Sequence, residues 1–193
     1  WAGVLGVLKA IVWPAIMVYE VFKNIGAEPE THPMDPFLPE GARVLLLGSF
    51  PHRGRAGPWI FFILFDNPET FILGNTYNRE LIRFFCKEKG IALYDTAVSV
   101  VRGTGNASDK FLEVIRPVDL AGLLDRLPCC DTIAVTGQKA ADTLLGVIRG
   151  EGFGNELKLP HMGAHVSFIY KERTIRLFRM PSSSRAYPMP LQK

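Results

Sequence analysis

Cysteine is scarce in this chain. Only Cys86, Cys129 and Cys130 occur in 193 residues, and two of them are adjacent. That set builds neither a disulfide framework nor a zinc-ligand spacing, and a reducing, cytoplasmic setting is the expectation. The four histidines, His32, His52, His161 and His165, form no HExxH pair, and no GxSxG elbow is present. The signatures of a zinc hydrolase and of an α/β-hydrolase are therefore missing. GxxxxGK[ST] and GxGxxG are missing too, which removes the usual triphosphate and dinucleotide cradles. No metal, no nucleotide and no other cofactor is expected. Charge of one sign is also in short supply. The 22 Lys and Arg against 19 Asp and Glu leave a formal net charge of +3, which permits a polyanionic partner without demanding one. Internal repeats and low-complexity tracts are absent.

Apolar residues are plentiful, at 48%, and 193 residues suffice for one domain with a real core. Three regions stand out: residues 1–25, an apolar segment; residues 26–41, which carry Pro29, Pro33, Pro36 and Pro39; and residues 42–193, an α/β domain. The four prolines predict an extended linker, since each fixes φ and restricts its predecessor. The first region is long enough for a spanning helix, which needs about 20 residues. Lys9 and the helix-breaking Pro14 argue against one, so a helix packed on the domain or on a partner is expected. A membrane-attached interaction domain stands as an alternative. The chain opens on Trp1, which reads as a trimmed or processed start.

The run "ARVLLLGSF" predicts a strand buried on both faces, because Val44 to Leu47 are continuously apolar. "NRELIRFFCKEKG" has helical spacing with Gly90 as its stop. "IALYD" and "DTIAVTG" predict further strands, and "QKAADTLLGVI" a helix. "ASDKFLEVI" is read as a helix capped by Ser108 or Asp109, and "PVDLAGLLDRL" as another opened by Pro117. "HVSFIY" and "RTIRLFR", separated by Lys171 and Glu172, predict a hairpin. Alternating strands and helices imply a short, mainly parallel central sheet with helices on both faces, a three-layer α/β/α fold.

In such a sheet ligands sit beyond the carboxyl ends of the strands. Four stretches fall there: "GSFPH", "DTAVSVVRGTGNASD", "TGQKA" and "MPSSSRAYP". In the first, Gly48 permits close backbone approach, Phe50 offers a ring for stacking, and Pro51 stiffens the loop, although a plain strand-ending turn has the same composition. Asp95 ends a buried strand, where an acid is expensive unless paired; it either orients a ligand or caps the next loop. "TGQKA" enters a helix, whose N-terminal N–H groups favour phosphate. Pro181, Ser182, Ser183, Ser184 and Arg185 combine hydroxyls and a guanidinium suited to phosphate oxygens.

Taken together, "HPMDPFLPEGARVLLLGSFPH", "KEKGIALYDTAVSVVRGTGNASDKFLEVI", "TIAVTGQKAADTL" and "RLFRMPSSSRAYP" resemble the uracil-DNA glycosylase superfamily, and within it the branch that handles hypoxanthine and other deaminated bases. The resemblance spans residues 31–193. It implies a monomeric hydrolase of N-glycosidic bonds whose partner is double-stranded DNA carrying a damaged base, and which works without metal or cofactor. It implies a base pocket at Gly48, Ser49, Phe50 and Pro51, and DNA contacts at residues 181–185, which would press into the minor groove. Asp95 or His52 would position water or a ring atom. The branch also has an asparagine shortly before a tryptophan. If Trp59 is that tryptophan, the asparagine position falls at Ala56, in a shortened segment. Asn78 is the candidate substitute. The departure implies impaired catalysis, or a member of the fold that holds DNA without cleaving it.

Overall fold

The fold is described for residues 28–51, 72–73, 76–103 and 112–182 in a computed structural model. In chain order its strands are β1 (Glu30–Thr31), β2 (Val44–Gly48), β3 (Ile72–Leu73), β4 (Thr76–Tyr77), β5 (Ile91–Asp95), β6 (Ala97–Arg102), β7 (Leu112–Pro117), β8 (Thr132–Thr136), β9 (His165–Tyr170) and β10 (Arg173–Met180). Helix α1 (Arg79–Glu88) lies between β4 and β5, α2 (Leu120–Arg126) between β7 and β8, and α3 (Gln138–Gly150) between β8 and β9.

The main sheet has the order β5-β2-β8-β10-β9. Pairings β5–β2, β2–β8 and β8–β10 are parallel, and only the β10–β9 hairpin is antiparallel. Thus Val44–Gly48 and Thr132–Thr136 are parallel neighbours, as their unbroken aliphatic runs predict. Leu45, Leu46, Leu47, Ile133 and Val135 are all buried. Alternate residues of β5 face different neighbours: Ala92 and Tyr94 join the core built with α2 and α3, while Ile91 and Leu93 pack with Ile82 and Cys86 of α1. At the other edge the pattern changes. Ile175 and Leu177 are buried but Thr174 and Arg176 are exposed, and Phe168 and Tyr170 are buried but Ser167 and Ile169 are exposed. This half of the sheet keeps one wet face, the habit of an antiparallel edge.

A second sheet, β1-β6-β7, is antiparallel throughout, and it overturns two expectations. "AVSVVR" is a strand, not part of a rim loop, and "LEVIRP" is a strand, not the end of a helix. In the latter, Leu112 is buried, Val114 half-buried, and Glu113 and Ile115 exposed, so the two-residue period prevails over an apparent helical spacing. Pro117 closes β7 at a sheet edge, where its missing N–H costs nothing. The helix expected to open at Pro117 starts at Leu120 instead, because Asp119 caps it through a 2.8 Å bond from Gly122 N–H.

The proline-rich stretch is extended and stitched to both sheets. Residues 30 and 31 pair with β6, His32 N–H donates to the Val98 carbonyl at 2.8 Å, and Phe37 exchanges two backbone hydrogen bonds with Leu93. Among the described residues no helix is long and apolar enough to cross a membrane. Residues 1–27, including the apolar segment, lie outside them.

Candidate functional site

Parallel register decides what shares an edge. Gly48 is opposite Asp95, Leu47 opposite Val135, and Thr136 opposite Met180. The carboxyl ends of β2, β5, β8 and β10 therefore form one rim, and the beginnings of "GSFPH" and "PSSSRA" lie on it together. Gly137 follows β8 with φ of 83°, in the left-handed region that favours glycine. Its N–H reaches the Met180 carbonyl at 3.3 Å, and a side chain there would meet Ser182 at 3.6 Å. The turn into α3 and the last strand thus hold each other.

Asp95 is the centre of the rim. One carboxylate oxygen, Oδ2, lies 2.9 Å from Nε2 of His32. The other, Oδ1, lies over Gly48, only 2.3 Å from where a Cβ on that residue would sit. Any side chain here would have to push that carboxylate oxygen aside. The His32 side chain is 3% exposed and that of Asp95 21%. His32 makes an edge contact with Phe50, centroids 5.5 Å apart, and a tilted contact with Tyr94 at 4.7 Å. Burial, with a smaller contribution from the Asp95 charge, raises the Tyr94 phenol above its usual range, so it stays protonated at neutral pH.

A further ring of contacts fixes Phe50 and Pro51, just after β2. Phe50 is 8% exposed and packs with Ala97, Val100 and Leu112. The Arg102 guanidinium lies 5.6 Å over its ring, donates to the Pro51 carbonyl at 2.6 Å, and sits 3.3 Å from the Glu30 carboxylate. Phe50 thus forms a wall of the site as well as a piece of core. Thr96 ties the same region together: its N–H donates to the Gly48 carbonyl and its carbonyl accepts from Val118. Its buried hydroxyl has no hydrogen-bond partner among the described residues.

The remaining residues singled out in the sequence are distributed as follows. Ser49 and Pro51 follow Gly48 on the rim, and both are half-buried. Pro181 and Ser182 leave the end of β10. Asn78 is the N-cap of α1, its Oδ1 accepting from Leu81 N–H at 3.1 Å; a capping role accounts for its side-chain oxygen. His52, Ala56, Trp59, Ser183, Ser184 and Arg185 lie outside the described residues. Among those described, no three His, Cys, Asp or Glu side chains gather as metal ligands.

Sequence reasoning missed His32, Arg102 and Glu30. Each reaches the site from a segment read as linker or loop, across 51 to 72 residues of chain in the contacts that count. Asp95 was legible because an acid at the end of a buried strand needs a partner. What that partner would be had no local signature.

As assembled, the site is a mostly buried carboxylate–imidazole pair beneath a rim of small residues. α3 starts at the same rim, and its cap residue, Gly137, makes no side-chain capping bond. Such an arrangement can accept a hydrogen bond from a water or a ring N–H at Asp95, and an anion at the helix start. No family model and no curated protein matches the sequence. Among solved structures, the chain is similar to the solution NMR structure of a "putative Uracil DNA glycosylase" from Methanosarcina acetivorans, at 21% sequence identity and a TM-score of 0.52, over 79% of this chain and 84% of that one. At that identity what is shared is the fold, and the chain is a mixed α/β protein similar in architecture to that structure.

Proposed function

We propose that the protein is a DNA glycosylase-like enzyme that hydrolyses the N-glycosidic bond of a deaminated base, uracil or hypoxanthine, in double-stranded DNA. The observation that carries the reading is the Asp95 carboxylate, held at 2.9 Å by His32 over Gly48, on the rim where the loops after β2 and β10 both begin. A three-layer α/β/α arrangement, with α1 on one face of the sheet and α2 and α3 on the other, goes with this reading. A glycosylase must take its base out of the stack, at a cost of a few kcal/mol, and present it to a rigid pocket. Gly48, Ser49, Phe50 and Pro51 supply the pocket. Asp95 positions the attacking water or a ring N–H, with His52 as a further candidate. Ser182 lies beside the start of α3 and, with Ser183, Ser184 and Arg185 after it in the sequence, takes phosphate oxygens.

A non-cleaving reader of damaged DNA is the second reading, favoured if Trp59 is the tryptophan of the branch that the sequence resembles, because Ala56 then stands at its asparagine position. Losing a group that orients water costs about 10²–10⁴-fold in rate. Single-turnover base release, with enzyme in excess over duplexes carrying uracil or hypoxanthine, separates the two. Slow, measurable release supports the hydrolase. No release, together with tighter binding to an abasic duplex than to intact duplex, supports the reader. Neither release nor preferential binding sinks both. Arg185→Ala should weaken duplex binding and flatten its salt slope by about one unit.

A further inference from the structure

His32 sits in a stretch whose sequence says only that it is extended, yet the fold seals its ring at the rim. Both nitrogens are engaged. Nε2 faces Asp95 Oδ2 at 2.9 Å, and Nδ1 faces the Met34 peptide, 3.2 Å from its nitrogen and 2.7 Å from its oxygen. An ionised carboxylate only accepts, so Nε2 carries the proton in this pair. Nδ1 then accepts from Met34 N–H when the ring is neutral, or donates to the Met34 carbonyl when it is charged. In both states the same nitrogen holds Asp95. The ring cannot turn over without losing both contacts, and Phe50 and Tyr94 flank it.

We propose that His32 is the positioning residue of the site: its Nε2–H fixes Asp95 Oδ2 and leaves Oδ1, above Gly48, as the acceptor offered to water or to a base N–H. The proposal deepens the glycosylase reading and rests on it. It also gives residues 28–37 a task. Pairing at Glu30 and Thr31 on one side of His32, and the Phe37–Leu93 bridge on the other, anchor the histidine at two points. A polar side chain is held best when its own rotamer is locked by packing and by a second hydrogen bond, and His32 has both.

The test uses the full chain and three variants. His32→Phe keeps a ring between Phe50 and Tyr94 but donates nothing; His32→Gln restores a donor without the ring; Asp95→Asn removes the charge. The expected result is single-turnover base release about 10²-fold slower in His32→Phe, largely recovered in His32→Gln, with affinity for intact duplex unchanged. Combining His32→Phe with Asp95→Asn should cost little beyond either alone, as residues of one unit do. Release at the wild-type rate in His32→Phe, or additive losses in the double variant, would overturn the proposal. If the wild-type protein releases no base, the hydrolase reading fails by itself. Affinity for a duplex with a tetrahydrofuran abasic analogue then decides. Weakening in His32→Phe with recovery in His32→Gln supports the pair, and equal affinities overturn it. Should His32→Phe not fold, ¹⁵N imidazole spectra of the wild-type protein serve: a neutral ring protonated on Nδ1 alone overturns it.

Discussion

The two ends of the main sheet carry polar clusters of opposite kinds. At the amino ends, Asp131 receives Arg43 at 2.7 Å and Arg176 at 2.9 Å, and the Thr132 hydroxyl donates to it as well. Arg43 is 71% exposed there, so the cluster is wet and each charge is answered by another. At the carboxyl ends a nearly sealed imidazole holds a half-buried carboxylate, with a glycine pressed beneath and the Arg102–Glu30 pair beside them. Each end holds two ion pairs, yet only the carboxyl end has the features of a site. A paired surface charge is screened and adaptable, and worth little. A half-buried carboxylate tied to a sealed imidazole keeps an orientation that water would otherwise randomise. Counting ion pairs does not choose between the ends; burial and close approach do.

The largest expected effect comes from the glycine that makes room for the carboxylate. In Gly48→Ala the new methyl would lie 2.3 Å from Asp95 Oδ1, so Asp95 must swing away and strain the His32 bond. Base release should fall about 10²-fold, the usual result of a misplacement near 1 Å, with a stability loss of about 1–3 kcal/mol from overpacking. Single-turnover release and thermal melting read the two separately. Wild-type release in Gly48→Ala would show that Asp95 does not have to occupy this place, and the contrast between the ends would collapse.

A matched pair of arginines sharpens the contrast next. Arg102 is 12% exposed and faces Glu30, itself 17% exposed. Arg102→Met removes that guanidinium and the donor to the Pro51 carbonyl, and should cost about 2–3 kcal/mol in chemical denaturation. Arg43→Met, at the opposite end, should leave the melting temperature close to that of the wild type. Similar losses in both would show that burial is not what distinguishes the two clusters.

Acid titration gives a smaller effect, with its sign fixed in advance. The Thr132 hydroxyl first, and then Arg43 and Arg176, hold the Asp131 carboxyl well below the usual range. The folded protein therefore takes up this proton less readily than the unfolded chain. The stability so gained is complete above the ordinary carboxylate value, about 4, and is lost as pH falls below it. Asp131→Asn should cost about 1 kcal/mol or less at neutral pH and should make the stability curve less steep below about pH 4. An unchanged acid limb would mean that the cluster contributes nothing to folding.

How much of this was legible beforehand differs by element, for physical reasons. β2, β8, α3 and the β9–β10 hairpin declared themselves, because burial on two faces, helical spacing and a two-residue turn leave local patterns. "LEVIRP" did not. It pairs with β6 in the second sheet, and a short half-buried strand next to a helix start looks helical within a small window. The rim was legible as a place, because strand–helix alternation fixes where strands end. Its occupants were legible only in part. Gly48 and Asp95 could be named from strand ends, while His32 depends on a contact across 63 residues of chain that no spacing records.

The smallest expected effect is at Thr96, where the two kinds of polar group can be told apart by one hydroxyl. At the amino end the Thr132 hydroxyl is engaged with Asp131 at 2.6 Å. At the carboxyl end Thr96 is 1% exposed, and its hydroxyl has no partner among the described residues. A buried hydroxyl without a partner bears its desolvation cost with little return, so replacing it by a group of the same shape is nearly neutral or stabilising. Thr96→Val should therefore change stability by less than about 1 kcal/mol, in either direction. The informative reading is activity beside stability. Unchanged stability with slower base release would place the hydroxyl among the groups that meet substrate, one residue from Asp95. Unchanged release would leave Thr96 as backbone architecture, tying Gly48 to Val118. A clear loss of stability would show that the hydroxyl is satisfied in solution, and the carboxyl end would then resemble the amino end more closely than its burial suggests.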